Sequence, residues 1–294
     1  MLKTARPRRS ILYMPGSNAR ALEKGRTLAA DGLILDLEDA VAPDAKEAAR
    51  GQIRDAIKEG GYGKRELIVR VNPMDTSWGH DDLVAAATMG ADAVLLPKVE
   101  SAGTVHQAEA ILDTAGAPDS LTVWCMMETP LGMLHAEEIS EASPRVGALV
   151  MGTSDLAKDL QCAHTRDRLP FITSLGLCML AARAAGIAIL DGVYLDLNDD
   201  EGFAHACRQG AELGFDGKTL IHPKTIDAAN EAFSPSTEEI EWSKKIIVVH
   251  AEAAAEGKGI VVVDGKLIEN LHVLNAERLV AMADAIAEME EAAA

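Results

Sequence analysis

Short apolar runs alternate with amphipathic stretches along most of the chain. The runs are almost continuously apolar, which is typical of strands buried on both faces of a parallel sheet. Strands are predicted at residues 10–15, 32–38, 66–72, 93–99, 121–128, 146–152, 187–195 and 217–222. Each run is followed by a stretch with helical spacing, so the pattern predicts consecutive β–α units.

Eight such units predict an α/β fold of the (β/α)₈ TIM-barrel type. A doubly wound open sheet is the alternative topology, because the number of strands does not by itself show closure. The first turn, PGSNAR, lacks the GxGxxG fingerprint, which weakens a dinucleotide-binding version of that sheet.

The repeating pattern ends near residue 234. SPSTEEIEW is typical of a helix start, IVVVDGKLIE has the pattern of a hairpin, and a last helix is predicted near 271–290. We therefore predict a catalytic barrel domain at 1–234. A C-terminal helix–hairpin–helix extension at 235–294 is expected to act as a lid that packs on its own or a neighbouring subunit.

Composition narrows the class of partner. The net charge of −18 disfavours nucleic acid, which this surface would repel. No apolar run approaches the roughly 20 residues of a membrane span, so no membrane association is expected. The four cysteines have no CxxC spacing, and Cys125 and Cys178 are expected to be buried, reduced thiols. A cytoplasmic location follows from that expectation.

Polar side chains gather where the predicted strands end, the face that carries the chemistry in barrel enzymes. They are Glu38, Asp39, Arg70, Asn72, Lys98, Glu128, Asp155 and His222. Glu128 and Asp155 follow neighbouring strands, and adjacent carboxylates repel unless a cation or proton lies between them. Their oxygens suit Mg²⁺, or Mn²⁺, with open positions for water and substrate. Alternatively, one caps a helix and the other pairs with Arg70 or Lys98.

Arg70 lies inside the apolar stretch IVRVN, where a buried guanidinium needs a partner. It can donate to a substrate oxygen that gains negative charge, or form a structural salt bridge with Glu38 or Asp39. Strand alternation predicts that Asp36 and Glu38 face one way and Asp39 the other. These acids are expected to orient Arg70 and metal-bound water, although Asp39 can equally cap the following helix.

Two lysines and a histidine leave further options open. Lys98 can bind a phosphate or carboxylate, or pair with Glu100. Lys98 and Lys218 both lie on predicted strands, as a Schiff-base aldolase would require, but nearby carboxylates would keep such a lysine charged. His222 is either an acid/base group or a structural residue.

Seven motifs in order resemble the citrate lyase β-subunit-like and malyl-CoA lyase family of the HpcH/HpaI aldolase superfamily. They are RRSILYMPGSN, LILDLEDAV, RVN, LLPKVES, ETPLG, the element at 152–155, and GFDGKTLIHP. The resemblance implies a Mg²⁺-dependent lyase that cleaves a short 3-hydroxyacyl-CoA, of the malyl-CoA or citramalyl-CoA type. The products would be acetyl-CoA and a 2-oxo acid, in a reaction that can run in reverse.

The resemblance also implies residue roles and an assembly. Glu128 and Asp155 would hold the metal, and Arg70 would contact the thioester or enolate oxygen. Arg20 and Lys24 would bind the phosphates of coenzyme A, which is part of the substrate. Family members are usually homotrimers or homohexamers, in which the C-terminal segment lies over the site of an adjacent subunit.

One position departs from the family pattern. Many lyases of this family carry an acid/base Asp in the C-terminal segment, where the matching stretch DGKLIENLHVL has Glu269. A shift of about 1 Å is costly for proton transfer. Glu269 can still act as the acid/base group, or it can activate water to hydrolyse the thioester. A malyl-CoA thioesterase is therefore the alternative to the lyase. A citrate lyase β-type subunit of a larger complex and a CoA-independent 2-oxo-acid aldolase are further alternatives.

Overall fold

A closed barrel of eight parallel strands forms the larger part of the protein. The computed structural model describes residues 6–292. The strands are β1 (Ser10–Pro15), β2 (Gly32–Asp36), β3 (Glu66–Arg70), β4 (Ala93–Leu96), β5 (Thr122–Met127), β6 (Val146–Met151), β7 (Ala188–Asp191) and β8 (Gly217–Leu220). Because β1 pairs with both β2 and β8, the predicted barrel is confirmed and the open sheet is excluded.

Helices follow the strands and cover the outside of the barrel. They are α1 (Ala19–Gly25), α2 (Lys46–Glu59), α3 (Gly79–Ala86), α4 (Ala102–Thr114), α5 (Pro130–Leu134), α6 (Ala136–Ser140), α7 (Thr153–Leu160), α8 (Ile172–Ala185), α9 (Asp200–Leu213) and α10 (Ile226–Ala232). Asn18 caps α1 and Asp199 caps α9, each with a side-chain oxygen that accepts a backbone N–H left free at the helix start.

The strands are buried on both faces, which explains their unbroken apolar runs. Ile34, Ile68 and Trp124 belong to the cluster that fills the barrel interior. Leu33 and Leu35, on the opposite face of β2, pack in the larger cluster that includes the helices. The sequence therefore shows that these segments are strands without showing which residues point inward.

Most predicted strands end too late by one to four residues, although their starts agree within one residue. At the end of β2, the carboxylate of Asp36 accepts the backbone N–H groups of Glu38 and Ala40, at 2.9 and 3.2 Å. A side chain thus replaces the strand ladder, and the chain turns. Side chains alternate between the two faces of a strand only as far as the strand extends. The direction of a side chain after the turn therefore does not follow from that alternation.

Residues from Ser234 onward belong to a second compact unit, distinct from Arg8–Phe233. It contains α11 (Thr237–Ala255), the antiparallel hairpin of β9 (Val261–Val263) and β10 (Lys266–Ile268), and α12 (Asn270–Glu291). This is the predicted order of helix, hairpin and helix.

Two further expectations concern burial and membranes. Cys125 and Cys178 are buried free thiols, as expected. Within residues 6–292, no helix combines the length and apolar character that crossing a bilayer would require.

Candidate active site

Arg70, the last residue of β3, is fixed by a carboxylate on the neighbouring strand. Its Nε and Nη2 atoms each donate to Asp36 at 2.6 Å, and its side chain is 8% exposed. The barrel register places Asp36 directly beside Arg70. Because a guanidinium carries five N–H donors, this bidentate pair leaves others available. The sequence predicted a salt bridge with Glu38 or Asp39 and expected Asp36 to help orient Arg70, but it did not predict that Asp36 makes the bidentate pair.

Two further acids approach the same guanidinium. Glu38 Oε2 lies 2.7 Å from Arg70 Nη1, and Asp39 Oδ2 lies 3.6 Å from it. The prediction that Asp39 faces away was wrong, because both residues follow the turn at Asp36. The option that Asp39 caps α2 is also wrong, since the residue at that cap is Ala45.

Glu38 carries a perturbed carboxyl group. Burial raises its pKa to about 7, Arg70 opposes this shift, and nearby carboxylates add to it. Lys98 Nζ lies 4.0 Å from Glu38 Oε1. A carboxyl group that titrates near neutrality can both accept and return a proton at physiological pH.

Tyr13 lies beneath the guanidinium and was not singled out from the sequence. The ring centroid of Tyr13 is 4.8 Å from Arg70 Cζ, and its hydroxyl contacts the sulfur of Met126 at 3.8 Å. Burial raises the pKa of this phenol well above its usual value. The ring is therefore an uncharged support on which the guanidinium rests.

Glu128 directly follows β5 and is almost fully buried, with 3% of the residue exposed. Its Oε1 atom accepts the backbone N–H of Lys98 at 2.7 Å. Lys98 adopts a left-handed conformation, with φ of 49°, that is unusual for a residue with a side chain. Burial raises the pKa of Glu128 to about 7, and the nearby charge of Asp155 contributes to the rise.

Asp155 lies in the first turn of α7, which begins directly after Gly152. A Cβ atom at Gly152 would come within 2.6 Å of Glu128 Oε2, so the absent side chain leaves space beside that oxygen. The negative charge of Asp155 thus acts on Glu128, and the space beside Glu128 Oε2 is left open by Gly152.

These residues fit a hard divalent cation. Both side chains offer only oxygen ligands, and a cation would relieve the repulsion from Asp155 that adds to the effect of burial on the pKa of Glu128. Among residues 6–292, no group of three or more His, Cys, Asp or Glu side chains is arranged to hold a metal. A cation here would need water and substrate oxygens to complete its shell, so the metal site remains a prediction.

A cavity of about 650 Å³ adjoins these groups. Among its lining residues are Asn72, Lys98, Thr129, Asp155 and Lys158. It thus collects residues that follow β3, β4, β5 and β6, which is the carboxyl-terminal face of the barrel. This is the face at which barrel enzymes bind their substrates.

Some predicted candidates have structural roles instead. Asn72 donates to the carbonyl of Leu37 at 2.9 Å. His222 begins a short 3₁₀ turn, where its Nδ1 accepts the backbone N–H of Lys224.

The Schiff-base option through Lys218 is not supported. Lys218 is fully buried, and its Nζ donates to Asp191 at 2.8 Å. Both side chains lie on the outer face of the strands, since Leu190, which precedes Asp191, belongs to the cluster inside the barrel.

The remaining predicted residues lie on α1 and at the start of α12. Arg20 and Lys24 are exposed on α1, one helical turn apart, where their role toward coenzyme A stays a prediction. Glu269 belongs to the C-terminal unit, where its backbone N–H donates to His272 Nδ1 at 3.0 Å at the start of α12. Its predicted proton-transfer role also stays a prediction.

Residues 9–223 match the family model for HpcH/HpaI aldolase/citrate lyase, which covers most of the chain. The chain belongs to this family.

The family member "(3S)-malyl-CoA thioesterase" from Cereibacter sphaeroides (strain ATCC 17025 / ATH 2.4.3) is 52% identical over 287 residues, which is 98% of each chain. "Citrate lyase subunit beta" from Escherichia coli (strain K12) is 36% identical and aligns with 95% of this chain and 93% of its own. The crystal structure of protein CitE from Mycobacterium tuberculosis with magnesium, acetoacetate and coenzyme A superposes with a TM-score of 0.77 at 29% identity. It covers 96% of this chain and 100% of that chain.

Proposed function

We propose that this protein is a thioesterase that hydrolyses (3S)-malyl-CoA, or a closely similar short 3-hydroxyacyl-CoA, to the free acid and coenzyme A. The observation that carries the proposal is the 52% identity to a (3S)-malyl-CoA thioesterase over 98% of both chains. The family resemblance implied the lyase as the main activity, with the thioesterase as its alternative. The relatives support the thioesterase better, and we therefore reverse that order.

Thioester hydrolysis needs a donor for the oxyanion that forms when water attacks the carbonyl carbon. Arg70 suits this role because Asp36 fixes its orientation and uses only two of its N–H donors. A guanidinium held in this way needs little reorganisation as negative charge develops on the substrate oxygen.

The reaction also needs a base for the attacking water. Glu38 is beside Arg70 and has a pKa of about 7, so its carboxylate can take the water proton. The new C–O bond forms, the C–S bond breaks, and Glu38 returns the proton to the departing CoA thiolate. Malate and free coenzyme A result.

Two parts of the site bind the substrate in this proposal. Magnesium held by Glu128 and Asp155 would supply Lewis-acid polarisation of a substrate oxygen. Lys98, at the cavity edge and 45% exposed, offers a positive charge to a carboxylate or phosphate of the substrate. Arg20 and Lys24 are retained as candidates for binding the CoA phosphates.

Glu269 remains the second candidate for the base, on the sequence argument. Separate variants of Glu38→Gln and Glu269→Gln distinguish the two. The true base variant should lose hydrolysis by at least about 100-fold, since general acid–base catalysis contributes that much or more. The other variant should retain most of the activity.

A product assay tests the proposed activity. The protein is incubated with (3S)-malyl-CoA and Mg²⁺ in H₂¹⁸O, and free thiol, malate, glyoxylate and acetyl-CoA are measured. We expect malate and free CoA in equal amounts, with one ¹⁸O atom in the malate carboxylate. Glyoxylate with acetyl-CoA would instead identify the lyase, and the absence of both product pairs would reject both activities.

The C–C lyase is the second candidate, because the citrate lyase subunit beta relatives share most of the chain. Arg70 would then donate to the enolate oxygen of acetyl-CoA, which gains charge as the C2–C3 bond breaks. A role as a citrate lyase β-type subunit would require a partner protein for turnover. Turnover of malyl-CoA by the isolated chain would exclude that requirement.

A further inference from the structure

Lys46, the first residue of α2, is a buried lysine outside the groups assigned to the reaction. It is 6% exposed, and its Nζ donates to the backbone carbonyls of Leu37 and Glu38, each at 2.9 Å. The ammonium also lies 5.2 Å from the ring centroid of Trp78. Its charge is therefore stabilised by two peptide dipoles and an aromatic face.

The two carbonyls belong to the turn that follows β2. On the other side of this turn, the carboxylate of Asp36 accepts the backbone N–H groups of Glu38 and Ala40. The carbonyls thus point toward a cation and the N–H groups toward an anion. Lys46 on one side and Asp36 on the other thus fix the peptide planes before and after Glu38. These planes in turn direct the Glu38 side chain toward Arg70.

Neither carbonyl depends on Lys46 alone. The Leu37 carbonyl also accepts from Asn72 Nδ2 at 2.9 Å, and the Glu38 carbonyl accepts from the backbone N–H of Val41 at 3.1 Å. Removing the ammonium would leave both oxygens with a donor, so the fold should survive. What would be lost is the bridge that holds the two carbonyls together.

We propose that Lys46 is a positioning residue, which holds the turn at 37–38 so that Glu38 meets Arg70 in a reactive geometry. This inference rests on the proposed role of Glu38. It predicts that Lys46 affects turnover through Glu38, although the contacts of the Lys46 ammonium within residues 6–292 are with the loop backbone and Trp78.

A double-mutant cycle tests the coupling. Lys46→Met should lower kcat by about 10- to 100-fold with little change in KM, because a small misplacement of a reacting group slows chemistry. Lys46→Arg, which can again donate to both carbonyls, should restore most of this loss. Adding Lys46→Met to Glu38→Gln should lower kcat no further than Glu38→Gln alone. If the loss of kcat in the double variant equals the product of the losses in the two single variants, Lys46 acts independently of Glu38, and the proposal is overturned.

Lys58→Met provides a matched control, since it removes an exposed lysine from the same helix. It should leave kcat unchanged. The cycle can be measured from malate and free CoA or from glyoxylate and acetyl-CoA. If the product assay identifies a lyase, the proposed hydrolysis fails, but this test of Lys46 still applies.

Amide hydrogen exchange gives a second measurement that does not depend on turnover. In Lys46→Met, exchange at the amides of Glu38 and Ala40 should rise at least about tenfold, while Ile34 and Leu35 in β2 stay protected. Unchanged exchange at Glu38 and Ala40 would overturn the proposal, whatever reaction the protein catalyses.

Discussion

At the scale of single residues, the site depends on ionisable groups held under unusual conditions. Arg70 is buried on Tyr13 and faces three carboxylates, of which Asp36 makes the bidentate pair. Glu38 and Glu128 both have a pKa of about 7, chiefly because they are buried. Shifted groups at the carboxyl-terminal face of a barrel are typical of catalytic sites.

The first prediction concerns pH. A base must be deprotonated, so kcat/KM for malyl-CoA should rise with pH and level off above about 7, the pKa of Glu38. Assays at saturating Mg²⁺ would keep Glu128 ionised across this range. The Glu38→Gln variant should show a low, flat profile. A wild-type rate that is constant between pH 5 and 8 would argue against Glu38 as the base.

The second prediction concerns the space beside Glu128. Gly152→Ala would place a Cβ atom 2.6 Å from Glu128 Oε2, so the carboxylate must move and activity should fall by at least about tenfold. Gly176→Ala is the matched control, because a Cβ at this position in α8 meets no atom within 4 Å. The control should gain about 0.5–1 kcal/mol of stability with unchanged kinetics. Equal activity in the two variants would contradict the prediction that the space beside Glu128 is needed for activity.

The third prediction concerns the metal. Glu128→Gln and Asp155→Asn should each abolish Mg²⁺-dependent turnover and weaken Mg²⁺ binding in calorimetry, while the circular dichroism spectrum stays that of the wild type. Chelator should produce the same loss in the wild type, and added Mg²⁺ should reverse it. Full turnover in excess chelator would exclude a metal-dependent mechanism.

At the scale of elements, β7 and β8 are joined by an ion cluster on their outer face. Asp191 is fully buried and accepts from Lys218 and from Arg168, which precedes α8. Burial favours a higher pKa for Asp191, but the two cations outweigh it and lower the pKa below its ordinary value. The cluster thus links two strands to the segment before α8.

The fourth prediction tests this cluster. Asp191→Asn leaves the buried Lys218 and the partly buried Arg168 without their carboxylate, and it should destabilise the protein by about 3–5 kcal/mol at pH 7. Because the folded-state pKa is lowered, the stabilisation is present above the unfolded value of about 3.9 and is lost as the pH falls further. Asp200→Asn, which removes an exposed pair with Lys224, is the control and should change the melting temperature little. A similar loss of stability in both variants would show that the cluster around Asp191 stabilises the protein no more than an exposed ion pair does.

At the scale of the whole molecule, the C-terminal unit exposes a small apolar surface. Val262 and Leu267 are cross-strand partners in the hairpin, and they are 64% and 54% exposed. Exposed apolar side chains contrast with the acidic character of a protein whose net charge is −18. Contiguous exposed apolar surface is typical of sites that contact another protein.

The fifth prediction concerns assembly. By the family resemblance, we expect a homotrimer or homohexamer of the 31.2 kDa chain, measurable by native mass spectrometry. The double substitution Val262→Lys with Leu267→Lys should shift the mass toward the monomer, whereas Glu252→Lys, at an exposed position, should not. A monomeric wild-type protein would contradict the prediction.

The sequence by itself determined the order of elements and the family, and it indicated candidate site residues. Short, almost continuously apolar runs predicted the strands because both strand faces are buried, and the charged side chains at the ends of those runs indicated Arg70, Glu128 and Asp155. The ordered motifs identified the family, which the family model confirms.

Only the tertiary structure decided which of these residues meet and how. Asp36 became the partner of Arg70 through the register between β2 and β3, and Lys218 faces outward to Asp191. The carbonyl bridge made by Lys46 depends on where α2 lies against the turn after β2. The physical reason is that a strand buried on both faces carries no alternation to show which side chains point inward. Barrel closure and strand register make that choice through contacts between residues far apart in the chain.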